Sequence, residues 1–501
     1  MTQGARQLGV VAAGHELSAR AGADVLRGGG NAVDAALASM LASFVCEPLL
    51  TGLGAGGYML VVAPGQAPAL LDFFVEAPGR GSDPAQRGEL VPVGVSFGDA
   101  TQTFNIGPAS VGTYGMAAGV CEAARRFGRV PLEQLVGPAV ALARGGVALN
   151  RQQAYVVEIL EATIASTAEA SALFAPGGRL LRAGDRLRQP ELGDALERLG
   201  AEGARPFYDG DIGTAIVDWL AARGGLVTAD DLRAYAVIDR EPLRVSYRGR
   251  EVLTNPPPAA GGVLIALALA LLDAYPSPPS LTQIVEVMER AQSERTPAFL
   301  AGLDDPQFVE AFLRRGGGRL GSTTHIAALD RDGWACSVTS SAGSASGVIV
   351  PGTGVYLNNM LGEQDLNPLG FHRHTAGKRL PSMMAPTVVL GDRVPELALG
   401  SAGSNRIRSA ILQTIIRRID HAMLAQAAVE APRVHFEDGV VYVEPGIDSS
   451  ELAQAGRELA QFRELNLFFG GVQAAARNRD GSFSGGGDPR RGGAAIIVAA
   501  V

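Results

Sequence analysis

The chain has 501 residues, of which 47% are hydrophobic and 19% charged, with a formal net charge of −8. That acidic balance argues against nucleic acid or an anionic membrane surface as partner and favours a small-molecule substrate. Its 3 cysteines, Cys46, Cys121 and Cys336, have no metal-ligand spacing, so neither a disulfide framework nor zinc is expected and each reads as a core thiol.

Length alone suggests two or more domains, since single cores seldom outgrow about 300 residues. Yet no Ser/Pro-rich spacer, charge block or repeat divides the chain, and apolar residues recur from Leu8 to Val501. One compact fold is the expectation. The opening residues carry no charged start, signal-length apolar run or cleavage site, which predicts a cytoplasmic address. Residues 8–13 read as a strand and 16–28 as a helix with Leu17, Ala21, Val25 and Leu26 on one face. Asn31, with Asp34 following, is placed to cap a second helix running apolar through Leu41 and Phe44, which must be buried.

Gly52-x-Gly54-x-x-Gly57 has the spacing of a dinucleotide fingerprint, but a helix precedes it and a strand at 58–62 follows. That order is the reverse of the one that seats a phosphate on a helix N-terminus, so the glycines read as a tight turn against neighbouring backbone. Residues 109–225 read as mostly helical, with amphipathic stretches at 116–126, 132–143 and 214–223 forming a covering layer. Strands follow at 243–247 and 251–254, then an apolar helix at 262–272 that falls short of the roughly 20 residues a bilayer span needs.

The loop run 316–322 gives way at Thr323 to an alternating strand, Asp330-Arg331-Asp332-Gly333 turns, and residues 334–339 return as a hairpin. On pattern alone Thr323 and Thr324 are β-branched residues opening a strand. A hydroxyl at that position has a second use: if the peptide bond before it is cut, the freed α-amine is its general base. The chain then reads as strand-rich to residue 399, with helices at 405–416 and 421–430 and strands at 440–443 and 494–499. Stacked sheets covered by helices are the expected layered α/β architecture. His372 and His374 form a lone pair in a polar loop without acidic ligands at helical spacing, a poor metal site that reads as surface or a lid.

Ser322-Thr323-Thr324-His325, Tyr356-Leu357-Asn358-Asn359-Met360 and Gly377-Lys378-Arg379-Leu380-Pro381-Ser382-Met383-Met384-Ala385-Pro386-Thr387 occur in order. Upstream stand Gly29-Gly30-Asn31-Ala32-Val33-Asp34, the glycine turn, Phe207-Tyr208-Asp209-Gly210 and Asn255-Pro256-Pro257-Pro258. In order and spacing these segments resemble the γ-glutamyltransferase family of N-terminal-nucleophile hydrolases. The resemblance implies an αββα sandwich over residues 1–501 that cleaves itself between Ser322 and Thr323 into a large segment, 1–322, and a small one, 323–501. Thr323 would then be nucleophile and base without a cofactor, cleaving γ-glutamyl amides such as glutathione or its conjugates and passing the acyl group to water or an amine. An α-amine titrating near about 7.7 to 8.0 suits that base.

By the same resemblance Ser341 orients the nucleophile, the N–H groups of Gly403 and Ser404 form the oxyanion hole, and Ser382 lines the pocket. A plain helix N-cap at Ser404 is compatible with that role. Three positions depart from the family pattern. Phe74 replaces an arginine for the glutamyl α-carboxylate, Gly343 an asparagine and Met383 a serine, while the acid for the α-amine falls at Glu363, with Gln364 and Asp365 as competitors. Losing a bidentate arginine removes charge-assisted hydrogen bonds of roughly 1.5 to 3 kcal/mol each. An acylase similar to the cephalosporin or glutaryl branch, its side chain suited to Phe74 and Met383, is therefore the alternative substrate reading. A non-catalytic, unprocessed relative is the alternative class, and association into a homo-oligomer is left open.

Overall fold

A computed structural model describes residues 6–83, 87–96, 101–293, 323–364, 366–367 and 370–500. Two antiparallel sheets stack face to face at its centre. The first has 7 strands, in spatial order Ala494–Ala499, Gln7–Ala13, Thr324–Asp330, Ala335–Ser341, Gly56–Val62, Ala69–Phe73 and Ile238–Arg240. The second has 6, in the order Phe483–Gly487, Gly471–Arg477, Val394–Ala402, Thr387–Gly391, Arg250–Thr254 and Leu243–Tyr247.

Alternation along the strands explains the layering. In Thr324–Asp330, Ile326 and Ala328 belong to the core under the first helical layer, whereas Ala327 and Leu329 belong to the core between the sheets. Helices Glu16–Arg27 and Ala32–Cys46 cover the first sheet. Ala260–Asp273 and Arg406–Ile419 cover the second. The result is the expected αββα sandwich.

Every residue of Ala32–Cys46 is buried, as its uninterrupted apolar sequence requires. Asn31 closes a capping box with Asp34, and Asp34 also accepts the N–H groups of Arg129 at 3.0 Å and Val130 at 3.2 Å. Asp330, in the hairpin turn after Thr324–Asp330, accepts the N–H of Ala32 at 3.0 Å and so ties this helix to that hairpin. The glycine turn lies against backbone. A Cβ on Gly54 would come within 2.4 Å of the Tyr356 carbonyl, and one on Gly57 within 2.5 Å of the Thr339 carbonyl.

Several expectations are corrected. The helical stretch contains a small pairing of Val147–Ala148 with Arg186–Leu187, and a hairpin of Val91–Ser96 with Thr101–Ile106 precedes it. After Val355–Tyr356 the chain runs as loop until Thr387–Gly391, because Gly and Pro punctuate it where continuous strand was expected. The helix at 421–430 shortens to Ala425–Glu430, and helix Leu281–Ser293 was not anticipated. Cys46 and Cys336 are core thiols, but Cys121 is only partly buried. The loop run 316–322, with Ser322, lies outside the described residues. Among the described residues no helix is long and apolar enough to cross a membrane.

Replacing Asp34 by alanine strips acceptors from several enclosed N–H groups at once, so urea unfolding should show a stability loss of about 3 kcal/mol or more at unchanged m-value.

Candidate active site

Thr323 precedes the strand Thr324–Asp330 and is 1% exposed, and its Oγ1 has no hydrogen-bond partner among the described residues. Unsatisfied buried hydroxyls are uncommon in native interiors and call for an explanation; Ser18, Ser39, Thr113 and Thr163 share this state, and Thr323 differs from them in standing directly before a strand. Thr324 pairs with Ser340 in antiparallel register, so continuing the ladder by one step sets Thr323 opposite Ser341. The Ser341 Oγ accepts the N–H of Gly343 at 2.9 Å.

The second sheet brings up the other half. His325 is fully buried and its ring lies flat against Gly400, where a Cβ would stand 2.5 Å from two ring atoms. Strand Val394–Ala402 therefore packs its Gly400 against the start of the Thr324 strand, and the turn at Gly403 and Ser404 follows directly after it. Both turn residues have positive φ, 111° and 63°. The latter is costly for serine and is tolerated where the surroundings impose it. No backbone acceptor takes up either N–H among the described residues. The Ser404 side chain is not the cap foreseen for the following helix. Asn405 occupies the N-cap position without a side-chain capping bond, and the Ser404 Oγ is buried without a partner among the described residues.

His325 cannot serve as base here. Burial pushes its pKa down to about 3, and its Nδ1 is 2.8 Å from the Thr339 Oγ1. A carboxyl that the sequence reading passed over comes closer to the nucleophile strand. Glu47 ends the apolar helix, 7% exposed, and its Oε1 accepts the Thr324 hydroxyl at 3.1 Å. Burial pushes its pKa up to about 7, with the Thr324 hydrogen bond and Arg491 opposing the rise. The signal was available: an acid directly after fifteen apolar-helix residues, at the negative end of the helix dipole, is expensive unless it has a task.

The residues expected in the substrate pocket divide. Gly343 and Glu363 meet: a Cβ on Gly343, whose φ is 68°, would come within 2.5 Å of Glu363 Oε1 and 2.0 Å of Asn359 Oδ1. Glu363 is 2% exposed and accepts the Ser344 N–H at 2.9 Å, whereas Gln364 is exposed and Asp365 lies outside the described residues. Phe74 and Met383 are not brought together. Phe74 stacks on Tyr58 at 5.4 Å between the sheets, and Met383 joins the core beneath the second helical layer. Ser382 accepts the Met384 N–H at 3.0 Å and bridges to Ala259. His372 and His374 are both half-buried, and His374 Nε2 contacts the Leu366 carbonyl at 3.1 Å.

The profile of the family described as gamma-glutamyltranspeptidase matches residues 18–316 and 314–498. The chain belongs to that family. It is similar to the acylase ACY 1 proenzyme of Pseudomonas sp. (strain V22), 32% identical over 98% of this chain and 93% of that one. It is also similar to the glutathione hydrolase proenzyme of Bacillus subtilis (strain 168), 30% identical over 98% of this chain and 91% of that one. Among solved structures, a cephalosporin acylase from Bacillus halodurans superposes with a TM-score of 0.84 at 25% identity, over 98% of this chain and 96% of that one.

As a gamma-glutamyltranspeptidase-family member the protein is an enzyme of the N-terminal-nucleophile hydrolase type. Glu47 gives this enzyme a pH-dependent term. Its carboxyl titrates at an ordinary value of 4.5 when unfolded and at about 7 when folded, so in between the folded state holds the extra proton. Stability from this group is present below the lower value and is lost as pH rises through the upper one, at about 1.4 kcal/mol per unit. Melting temperature should therefore fall between about pH 5 and 8 in the wild type and vary less in Glu47→Gln. Equal slopes in the two proteins would remove Glu47 as the source.

Proposed function

We propose that the protein is a self-processing threonine amidohydrolase of the acylase kind, which cuts itself before Thr323 into segments 1–322 and 323–501. The observation that carries this is the buried Thr323 hydroxyl, which has no partner among the described residues and stands where the strand ladder continues opposite Ser341. Once the Thr323 α-amine is free, it takes the hydroxyl proton as Oγ1 attacks the amide carbonyl. The Gly403 and Ser404 N–H groups receive the developing oxyanion. The proton passes to the leaving amine, the acyl group stays as an ester on Thr323, and water or an amine then removes it.

The acyl group is less specified by a carboxylate clamp than in a γ-glutamyl enzyme. Phe74 is packed on Tyr58, and the guanidinium groups around this segment are already paired: Arg379 with Asp72 at 3.1 Å and Glu76 at 2.6 Å, Arg240 with Asp72 at 2.7 Å, and Arg80 with Glu76 at 3.3 Å. Among the described residues, none of these three is left over for a substrate α-carboxylate. One observation favours the γ-glutamyl reading: the buried Glu363 carboxylate beside Gly343 is suited to an amine.

Intact mass after incubation at neutral pH tests processing. Two fragments meeting at Ser322/Thr323 are expected from the wild type and an uncut chain from Thr323→Ala. Kinetics on butyryl, glutaryl and γ-glutamyl anilides then test the acyl group, with butyryl turnover equal to or above the others. A tenfold or greater preference for γ-glutamyl would restore that substrate class.

A further inference from the structure

The strand Val394–Ala402 leads into the Gly403–Ser404 turn, and the helix Arg406–Ile419 leads out of it, packed on that strand. The far ends of both elements line a pocket of about 500 Å³, within the range of about 300 to 1,000 Å³ usual for small-molecule sites. Neither Thr323, Ser341, Gly403 nor Ser404 lines it. Roughly 20 Å of extended strand separate its wall residue Leu397 from the turn, so the pocket stands apart from the proposed catalytic groups.

Four arginines enter the wall against two carboxylates, which leaves two positive charges in excess on a chain whose net charge is −8. Both carboxylates are engaged. Glu396 accepts the Arg250 Nε at 2.8 Å, and Asp480 accepts the Ser482 N–H at 3.0 Å and its hydroxyl at 2.6 Å. The other three guanidinium groups form no ion pair among the described residues. Arg418 donates to the Met423 carbonyl and, at 3.5 Å, to the Asn478 Oδ1. Arg477 stands over the Phe483 ring at 5.9 Å, and Arg479 is exposed. Burial, offset in part by Glu396, lowers the Arg418 pKa, as for a cation short of counter-charge. Val394 and Leu424, 44% and 59% exposed, set apolar surface beside these cations.

We infer that this pocket is a second binding site, separate from Thr323, for a small soluble organic phosphate monoester, its phosphate among Arg418, Arg477 and Arg479 and its apolar substituent on Val394 and Leu424. A phosphate monoester carries about −1.5 to −2 charges at pH 7, which matches the excess on the wall. A lone carboxylate supplies less charge, and inorganic phosphate leaves the two apolar side chains uncovered. Guanidinium groups present planar donor forks that fit phosphate oxygens, and a cationic concavity raises the local concentration of anions. The wall is concave and of small-molecule size, which favours a soluble ligand over a membrane surface. The site does not depend on the amide chemistry proposed for Thr323.

Isothermal titration of the full chain near neutral pH with phenyl phosphate, inorganic phosphate and benzoate tests the assignment. Phenyl phosphate is expected to bind at least tenfold tighter than either of the others, and Arg418→Gln to weaken it at least tenfold. Arg418 is partly buried, so the exposed change Arg479→Gln is the second variant, with a threefold or greater loss expected even if the first fails to fold. No measurable binding of phenyl phosphate, equal binding of inorganic phosphate or benzoate, or undiminished binding to Arg479→Gln would each overturn the site. Association with phosphatidic acid vesicles that phenyl phosphate does not displace would overturn the soluble ligand. Thr323→Ala is expected to bind phenyl phosphate as the wild type does, cut or uncut, and loss of binding there would overturn a site separate from Thr323.

Discussion

The contact of the His325 ring with the bare backbone of Gly400 is the constraint on which the active region depends. Stacked sheets ordinarily stand about 10 Å apart, filled by interleaved side chains. Here an imidazole on one strand is accommodated by a glycine on the other, and any Cβ at 400 would overlap the ring. The ring is oriented by Thr339 and kept neutral by burial, so it fills space without demanding a counter-ion. Thr323 and the Gly403–Ser404 turn belong to different sheets, and this contact sets how far one slides over the other. The candidate site is thus a product of sheet stacking, stiffer than one assembled from loops.

Buried charge in this protein is used mainly to hold backbone. Arg379 stacks over Tyr235 and bonds to Asp72 and Glu76, which fixes the segment carrying Phe74. Arg490 and Arg433 are enclosed with Glu444 and Asp488 near the strand Gly471–Arg477. Such groups repay their desolvation only when most of their hydrogen-bonding capacity is met, and these are densely bonded. Glu47 and Arg491 each keep one enclosed polar atom without a partner among the described residues, as Arg433 does at its Nε.

Local patterns made much of the layering legible. Uniform apolarity placed Ala32–Cys46 and Ala260–Asp273 inside, and alternation identified the Thr324 hairpin. The glycine turn was readable because a helix before and a strand after ruled out a phosphate loop. What could not be read was anything set by approach from a distant segment. Gly400 is an ordinary strand glycine until His325 is known to face it. Arg491, a surface-like residue in a turn, gains significance only from Glu47 and Gly403, far away in the chain. Phe74 and Met383 were placed together by alignment with one pocket, but each answers to its own hydrophobic core.

The first sheet interleaves its strands by origin: Ala494–Ala499 from the end of the chain, Gln7–Ala13 from its start, then the hairpin that follows Thr323, then Gly56–Val62. In the second, Thr387–Gly391 is zipped to Arg250–Thr254. A chain severed before Thr323 would therefore gain no freedom to separate. Its pieces would share ladder hydrogen bonds on both sides of every junction, and neither would present a closed surface alone. Exchange of one piece for another copy would be as slow as global unfolding. The two products would be inherited as a matched pair, so a defect in either half could not be complemented by supplying an intact half to the finished enzyme.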